Sequence, residues 1–201
     1  MIAIIDYGAG NLQSVKKALD YLGYKNEITD DIHKINTGER VILPGVGAFG
    51  DAMESMKRRG LVDAVKNAAN GERPFLGVCL GLQLLFSKSE ESPEAEGIGI
   101  FDGEIVRIPS VDGLKVPHMG WNSVSIKQND GIFKGIDDRS YFYFVHSYYL
   151  RGAANDTVAA TTQYGTEIQC AVQKGLVAAT QFHPEKSSEA GLQLLKNFAE
   201  V

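Results

Sequence analysis

A cysteine, a histidine and a glutamate in this 201-residue chain stand in settings that could support covalent catalysis. Gly77-Val78-Cys79-Leu80-Gly81 follows an apolar run at 74–78 and precedes a helical pattern at 82–86. A thiol between glycines at a strand-to-helix junction is the sulfur counterpart of the G-x-S-x-G elbow, a sharp turn that exposes a nucleophile at the C-terminal edge of a sheet. The glycines permit unusual backbone angles and close strand–helix approach, and the N-terminus of the following helix would favour the reactive thiolate. Such a nucleophile needs a base and a group to orient that base. Gln181-Phe182-His183-Pro184-Glu185 closes an apolar run at 176–182, so His183 would emerge at the same edge of the sheet. Glu185, two residues on, could hold its tautomer and stabilise its imidazolium. Taken singly, each has a plainer reading, a small buried thiol or a histidine closing a strand beside a solvated glutamate. Together they point to Cys79 as nucleophile, His183 as acid–base and Glu185 as the orienting acid.

Other reactive side chains lack such settings. Cys170 alternates within a β-rich run at 168–172 and reads as core. His33 falls in a polar connection and reads as surface. Gly8-Ala9-Gly10 after a strand, with Asp30 or Asp31 about 20 residues on, invites a dinucleotide reading, but Gln13 stands where the third glycine belongs. There is no P-loop, and no close His/Cys pairing of the zinc-site kind. Neither a metal nor a cofactor is expected.

The elements that must position these groups alternate in the first half. A short apolar strand at 2–6 leads through the glycine turn to an amphipathic helix carrying Leu12, Val15, Leu19 and Leu22, with Asn11 at its N-cap. A second strand at 41–43 ends at Pro44-Gly45-Val46-Gly47, followed by helical patterns at 51–59 and 61–70. Alternation of this kind predicts an α/β fold with a mainly parallel sheet covered on both faces. From residue 103 the runs at 103–108, 123–126, 141–145, 157–162 and 168–172 are short and β-rich, which predicts antiparallel additions to the main sheet. A strand at 176–182 and a helix at 189–199 close the chain, and 89–97 reads as an acidic, exposed loop. No repeat or linker divides residues 1–201, so a single domain is expected.

Composition agrees with an ordinary globular protein: 44% hydrophobic and 22% charged residues, enough to bury a core without disulfide or metal staples. A net charge of −5, with no basic stripe, argues against nucleic-acid binding. No apolar run approaches the length of a membrane span. The opening apolar residues lack a basic lead and meet Asp6, which argues against a signal peptide. Two distant cysteines fit a reducing cytoplasm.

These motifs together resemble the class I, triad-type glutamine amidotransferases, over essentially the whole chain. Cys79, His183 and Glu185 match that family's Cys-His-Glu triad, and the resemblance implies its three-layer, flavodoxin-like fold. Three further segments, Pro44-Gly45-Val46-Gly47-Ala48-Phe49-Gly50, Pro117-His118-Met119-Gly120-Trp121-Asn122 and Phe144-Val145-His146-Ser147-Tyr148, are similar to the glutaminase subunits of imidazole glycerol phosphate synthases. The resemblance implies hydrolysis of glutamine through a cysteinyl thioester, with ammonia passed to a cyclase subunit in a heterodimer of the histidine pathway. It further implies an oxyanion hole from the N–H groups of Val46 and Leu80, and glutamine binding at Gly47, Gln83, Ser147 and Tyr148. Trp121, Tyr143 and Lys186 match positions at the interface with the synthase. Glycines on both sides of Val46 would let that peptide reorient. The rival readings are the glutaminase of another synthase, such as pyridoxal phosphate synthase, a non-catalytic glutamine-binding subunit, and a free-standing cysteine hydrolase.

Overall fold

The first strand, β1 (Ile2–Ile5), is buried along its whole length, as a strand covered on both faces must be. In the computed structural model, which describes residues 1–201, its alternate side chains enter different layers. Ala3 and Ile5 pack with Val41 and Leu43 of β3 (Arg40–Gly45) beneath α3 (Phe49–Arg58) and α4 (Val62–Ala68). Ile2 and Ile4 pack against α1 (Leu12–Tyr21) and α6 (Ser188–Glu200), through Val15, Leu19, Leu194 and Phe198. The result is the expected three-layer α/β arrangement.

The parallel part of the sheet runs β2 (Asn26–Thr29), β1, β3, β4 (Phe75–Cys79) and β12 (Val177–Thr180). Beyond β12 the additions are antiparallel: β11 (Glu167–Lys174), β10 (Val158–Gln163) and the two-residue β7 (Ser125–Ile126). A branch from β11 carries β9 (Tyr148–Arg151) and then β5 (Glu104–Arg107). The order β2-β1-β3-β4 is that of flavodoxin-like sheets, whose ligands sit beyond the C-terminal ends of the strands. β3, β4 and β12 end together on that edge, bringing residues 45–47, 79 and 181–183 to one place.

Several expectations need correction. The strand at 141–145, β8 (Tyr141–His146), does not join the main sheet. It pairs with β6 (His118–Ser123) in a separate two-stranded sheet that sets His118 opposite His146 and Trp121 opposite Tyr143. β6 carries only a two-residue alternation, Met119 and Trp121 about Gly120, and both side chains point outward, 63% and 51% exposed. The polar connection in which His33 was read carries edge strand β2 and the short helix α2 (Ile32–Thr37), capped by Asp31, whose carboxylate accepts from the His33 N–H at 2.8 Å. His33 is exposed there, as expected. Asn11 occupies the N-cap of α1, but its side chain makes no capping hydrogen bond.

The helix after Cys79 starts earlier and ends sooner than the pattern at 82–86 implied. It is one turn, α5 (Leu80–Gln83). The carbonyls of Leu84 and Leu85 accept from Ile98 and Ile100 at 2.9 and 2.7 Å, so tertiary partners capture the groups a longer helix would have used. Cys170 is fully buried in β11, as read.

Candidate active site

Cys79 ends β4 at φ +56°, ψ −110°, a conformation that costs a non-glycine residue energy and is kept only where the surroundings enforce it. Close packing does the enforcing. A Cβ on Gly81 would overlap the Leu43 carbonyl oxygen of β3, and one on Gly77 would sit 2.8 Å from the Gly81 carbonyl oxygen. The two glycines therefore serve close approach rather than positive φ, and Cys79 itself absorbs the sharp angle. The Leu80 N–H, first of α5, has no intrahelical acceptor. One turn of helix offers unpaired N–H groups at its start but not the macrodipole of a long helix.

His183 follows β12 and its Nδ1 lies 2.8 Å from Glu185 Oε1, both side chains almost wholly buried. Glu185 sits in a 3-10 turn, Pro184–Lys186, that folds the carboxylate back beneath the imidazole. The Ser187 hydroxyl donates to the His183 carbonyl at 2.6 Å and accepts from the Tyr143 N–H at 3.0 Å, tying that turn to β8. His183 Nε2 is buried without a hydrogen bond of normal geometry. Burial alone would lower the His183 pKa, but the nearby Cys79 and the hydrogen-bonded Glu185 carboxylate outweigh it and push it up to about 10. An imidazolium held between two acidic groups can deliver a proton to a leaving group.

Cys79 and His183 line one cavity of about 380 Å³, at the small end of ligand sites. Of the nine residues assigned by sequence to catalysis, the oxyanion hole and substrate, eight line it: Val46, Gly47, Cys79, Leu80, Gln83, Ser147, Tyr148 and His183. The ninth, Glu185, stands behind His183. Gly47 has φ +103° and open space where a Cβ would be, and Val46 is 39% exposed, so the loop after β3 is loosely held on that side. Trp121 and Tyr143 meet edge to face at 6.1 Å, and Lys186 Nζ lies 5.9 Å above the Tyr143 ring. These three form one cluster on the β6–β8 face, next to the turn that carries Glu185.

Sequence reasoning missed several residues at or beside the cavity. Gln181, wholly buried, places Nε2 3.8 Å from Cys79 Sγ and accepts on Oε1 from Gln83 Nε2 at 3.0 Å. Glu91 also lines the cavity. The segment 89–97, read as a merely exposed loop, is instead the cap of α3. Ala48, at the N-cap, has no side-chain acceptor, and Glu91 and Ser92 accept from the Phe49 and Gly50 N–H groups at 2.8 and 3.1 Å. A cap from 42 residues away leaves no local signal; only the misfit of alanine at an N-cap hinted at it. Tyr7, fully buried behind the loop, has a hydroxyl without a partner, and burial together with the Cys79 charge raises its pKa. No group of three or more His, Cys, Asp or Glu side chains is placed to hold a metal ion.

The model of the family described as glutamine amidotransferase class-I matches residues 3–201. The chain belongs to that family. Among full-length relatives of this amidotransferase, the imidazole glycerol phosphate synthase subunit HisH of Moorella thermoacetica is 52% identical, over 100% of this chain and 94% of its own. The protein of the same name from Caldanaerobacter subterraneus subsp. tengcongensis is 51% identical, over 100% and 98%. Solved structures agree on the amidotransferase fold. One described as a glutamine amidotransferase superposes with a TM-score of 0.76 over the whole of both chains at 20% identity. PurLQS from Thermotoga maritima superposes with 0.77 at 19% identity, over 99% of this chain and 97% of that one. No helix of the amidotransferase is long and apolar enough to cross a membrane.

Proposed function

We propose that this chain is the glutaminase subunit of an imidazole glycerol phosphate synthase, hydrolysing glutamine with Cys79, His183 and Glu185 and passing the ammonia to a cyclase subunit. The observation that carries this reading is the strained Cys79 facing a cavity it shares with His183, whose Nδ1 is 2.8 Å from Glu185. Full-length relatives bearing the synthase subunit's name supply the pathway.

In this reading, the Cys79 thiolate attacks the side-chain amide carbon of glutamine. The N–H groups of Val46 and Leu80 hold the oxygen that becomes an oxyanion, each such donor contributing about 2.7–4 kcal/mol in comparable hydrolases. The His183 imidazolium gives its proton to the amide nitrogen, the C–N bond breaks, and ammonia leaves a glutamyl thioester. Neutral His183 then takes a proton from water, which attacks the thioester and releases glutamate and the thiolate. Glu185 keeps the Nδ1–H tautomer throughout. Gln83, Gly47, Ser147 and Tyr148 hold the amino-acid end of glutamine, and the Glu91 carboxylate, at the rim of the same cavity, offers a partner for its ammonium group.

Ammonia released into water would be protonated and lost to the synthesis, so the subunit is useful only when docked on its acceptor. We assign docking to the exposed β6–β8 face with Trp121, Tyr143 and Lys186, forming a cytoplasmic heterodimer. The deciding experiment measures glutamate release by the chain alone and with the cyclase subunit and its nucleotide substrate. Strong stimulation that vanishes in Cys79→Ala supports the assignment. Full activity alone, indifferent to the cyclase, would identify a free-standing hydrolase instead.

A further inference from the structure

The Tyr148 carbonyl accepts from Gln83 Nε2 at 3.1 Å and lies 2.9 Å from His146 Nδ1. A carbonyl can only accept, so His146 carries its proton on Nδ1 and presents Nε2 as an acceptor. His118 Nδ1, 2.9 Å from that Nε2, must then be the donor, and the His118 Nε2 accepts from Asn122 Nδ2 at 3.3 Å. The Asn122 amide is fixed independently. Its Oδ1 accepts from the Ser123 N–H at 2.8 Å and its Nδ2 donates to the Gln163 carbonyl at 3.0 Å. Every donor in the chain Asn122, His118, His146, Tyr148 is thus set by backbone groups at its two ends. Both imidazoles are neutral and both use Nδ1–H. Burial lowers both pKa values, to about 4 for His118 and about 3 for His146, and the charge on His183 acts on His146 in the same direction.

The relay ends in the cavity. Gln83 gives its two amide protons to the Tyr148 carbonyl and to Gln181 Oε1, so Oε1 is the only free atom of an amide that lines the site. An amide held this way receives an N–H donor and rejects an acceptor.

We propose that His118 and His146 are a tautomer-locked pair of positioning residues that hold the Tyr148 carbonyl, and through it the Gln83 amide, ready for an N–H donor of the bound glutamine. This deepens the reading above and rests on it for the identity of the ligand. The pair also runs along the β6–β8 sheet, the surface assigned to the partner, so a shift of that sheet would reach the substrate site through hydrogen bonds of known direction.

Two measurements test it. Nitrogen-15 NMR of the histidine rings in the isolated chain should find both residues neutral and protonated on Nδ1 between about pH 5.5 and 8, a range in which an ordinary histidine titrates. An Nε2–H tautomer or an imidazolium at either ring overturns the proposal whatever the enzyme does. In the complex with the cyclase, His118→Leu should raise the KM for glutamine about tenfold, the factor carried by one ordinary hydrogen bond, with little change in kcat. His118→Asn, whose amide nitrogen can occupy the Nδ1 position, should restore KM to within about threefold. His118 stacks on Phe144 and Tyr164 at 4.7 and 3.9 Å, so a merely packing role would favour leucine over asparagine. A leucine variant that matches or outperforms the asparagine one refutes the positioning role. A wild-type complex that ignores glutamine would instead sink the functional reading and leave the NMR result standing.

Discussion

Replacing Glu185 with glutamine removes one negative charge from behind His183 and keeps the shape and an acceptor. What is lost is the charge on a bond that is short, at 2.8 Å, buried and charge-assisted when His183 is protonated. Hydrogen bonds to charged groups contribute about 1.5–3 kcal/mol. If that stabilisation is present when the imidazolium forms and delivers its proton, kcat/KM should fall roughly 10- to 150-fold. The same energy sets a pH signature. Cys79 and Glu185 together hold the His183 pKa up at about 10, so removing one of them lowers it. The alkaline limb of the rate profile, which belongs to the Cys79–His183 pair rather than to one residue, should move down by about one to two pH units. Stability carries a matching sign. A group whose folded pKa is raised stabilises in full below its unfolded value, here 6.5, and loses that contribution as pH rises through about 10. Glu185→Gln should therefore destabilise the fold most below pH 6.5 and progressively less toward pH 10. The assay is glutamate release by the complex across that range, paired with thermal melts. An unmoved alkaline limb, with activity within about threefold of wild type, would refute the role given to Glu185.

Gly81→Ala would drive a Cβ into the Leu43 carbonyl, backbone against backbone, and should destabilise by about 4 kcal/mol or more, seen as a fall in Tm of about 10 °C or more. A soluble variant with wild-type Tm would show that the elbow tolerates relaxation. Glu91→Gln keeps an acceptor for the Phe49 N–H and loses the charge, so Tm should barely move while the KM for glutamine rises roughly tenfold; an unchanged KM removes Glu91 from the substrate site. Tyr7→Phe deletes a buried hydroxyl with no partner and should stabilise by about 1 kcal/mol in denaturant unfolding. A clear loss of stability would mean that the hydroxyl has an unrecognised acceptor.

Short-range chemistry carried much of this protein into view. Cys79 between its glycines and His183 two residues before Glu185 are local patterns, and the buried strands at their N-terminal sides told which edge of the sheet they share. The parallel half was legible because β1, β3, β4 and β12 are unbroken apolar runs, and helices α1, α3, α4 and α6 carry helical spacing. Edge strand β2 and the half-exposed β6 were not, since each turns one face outward and so lacks a continuous hydrophobic signature.

What the sequence determined by itself was therefore the class of fold and the edge at which Cys79, His183 and Glu185 meet, because each follows from residue type within a few positions. Only the tertiary structure decided which distant groups complete the site. Glu91 and Ser92 reach an alanine that cannot cap α3, Gln181 places its amide beside the thiol, and the His118–His146 pair acquires its proton directions from backbone groups at its ends. Hydrogen bonds between segments tens of residues apart depend on where the sheet puts them, and no spacing along the chain encodes that distance.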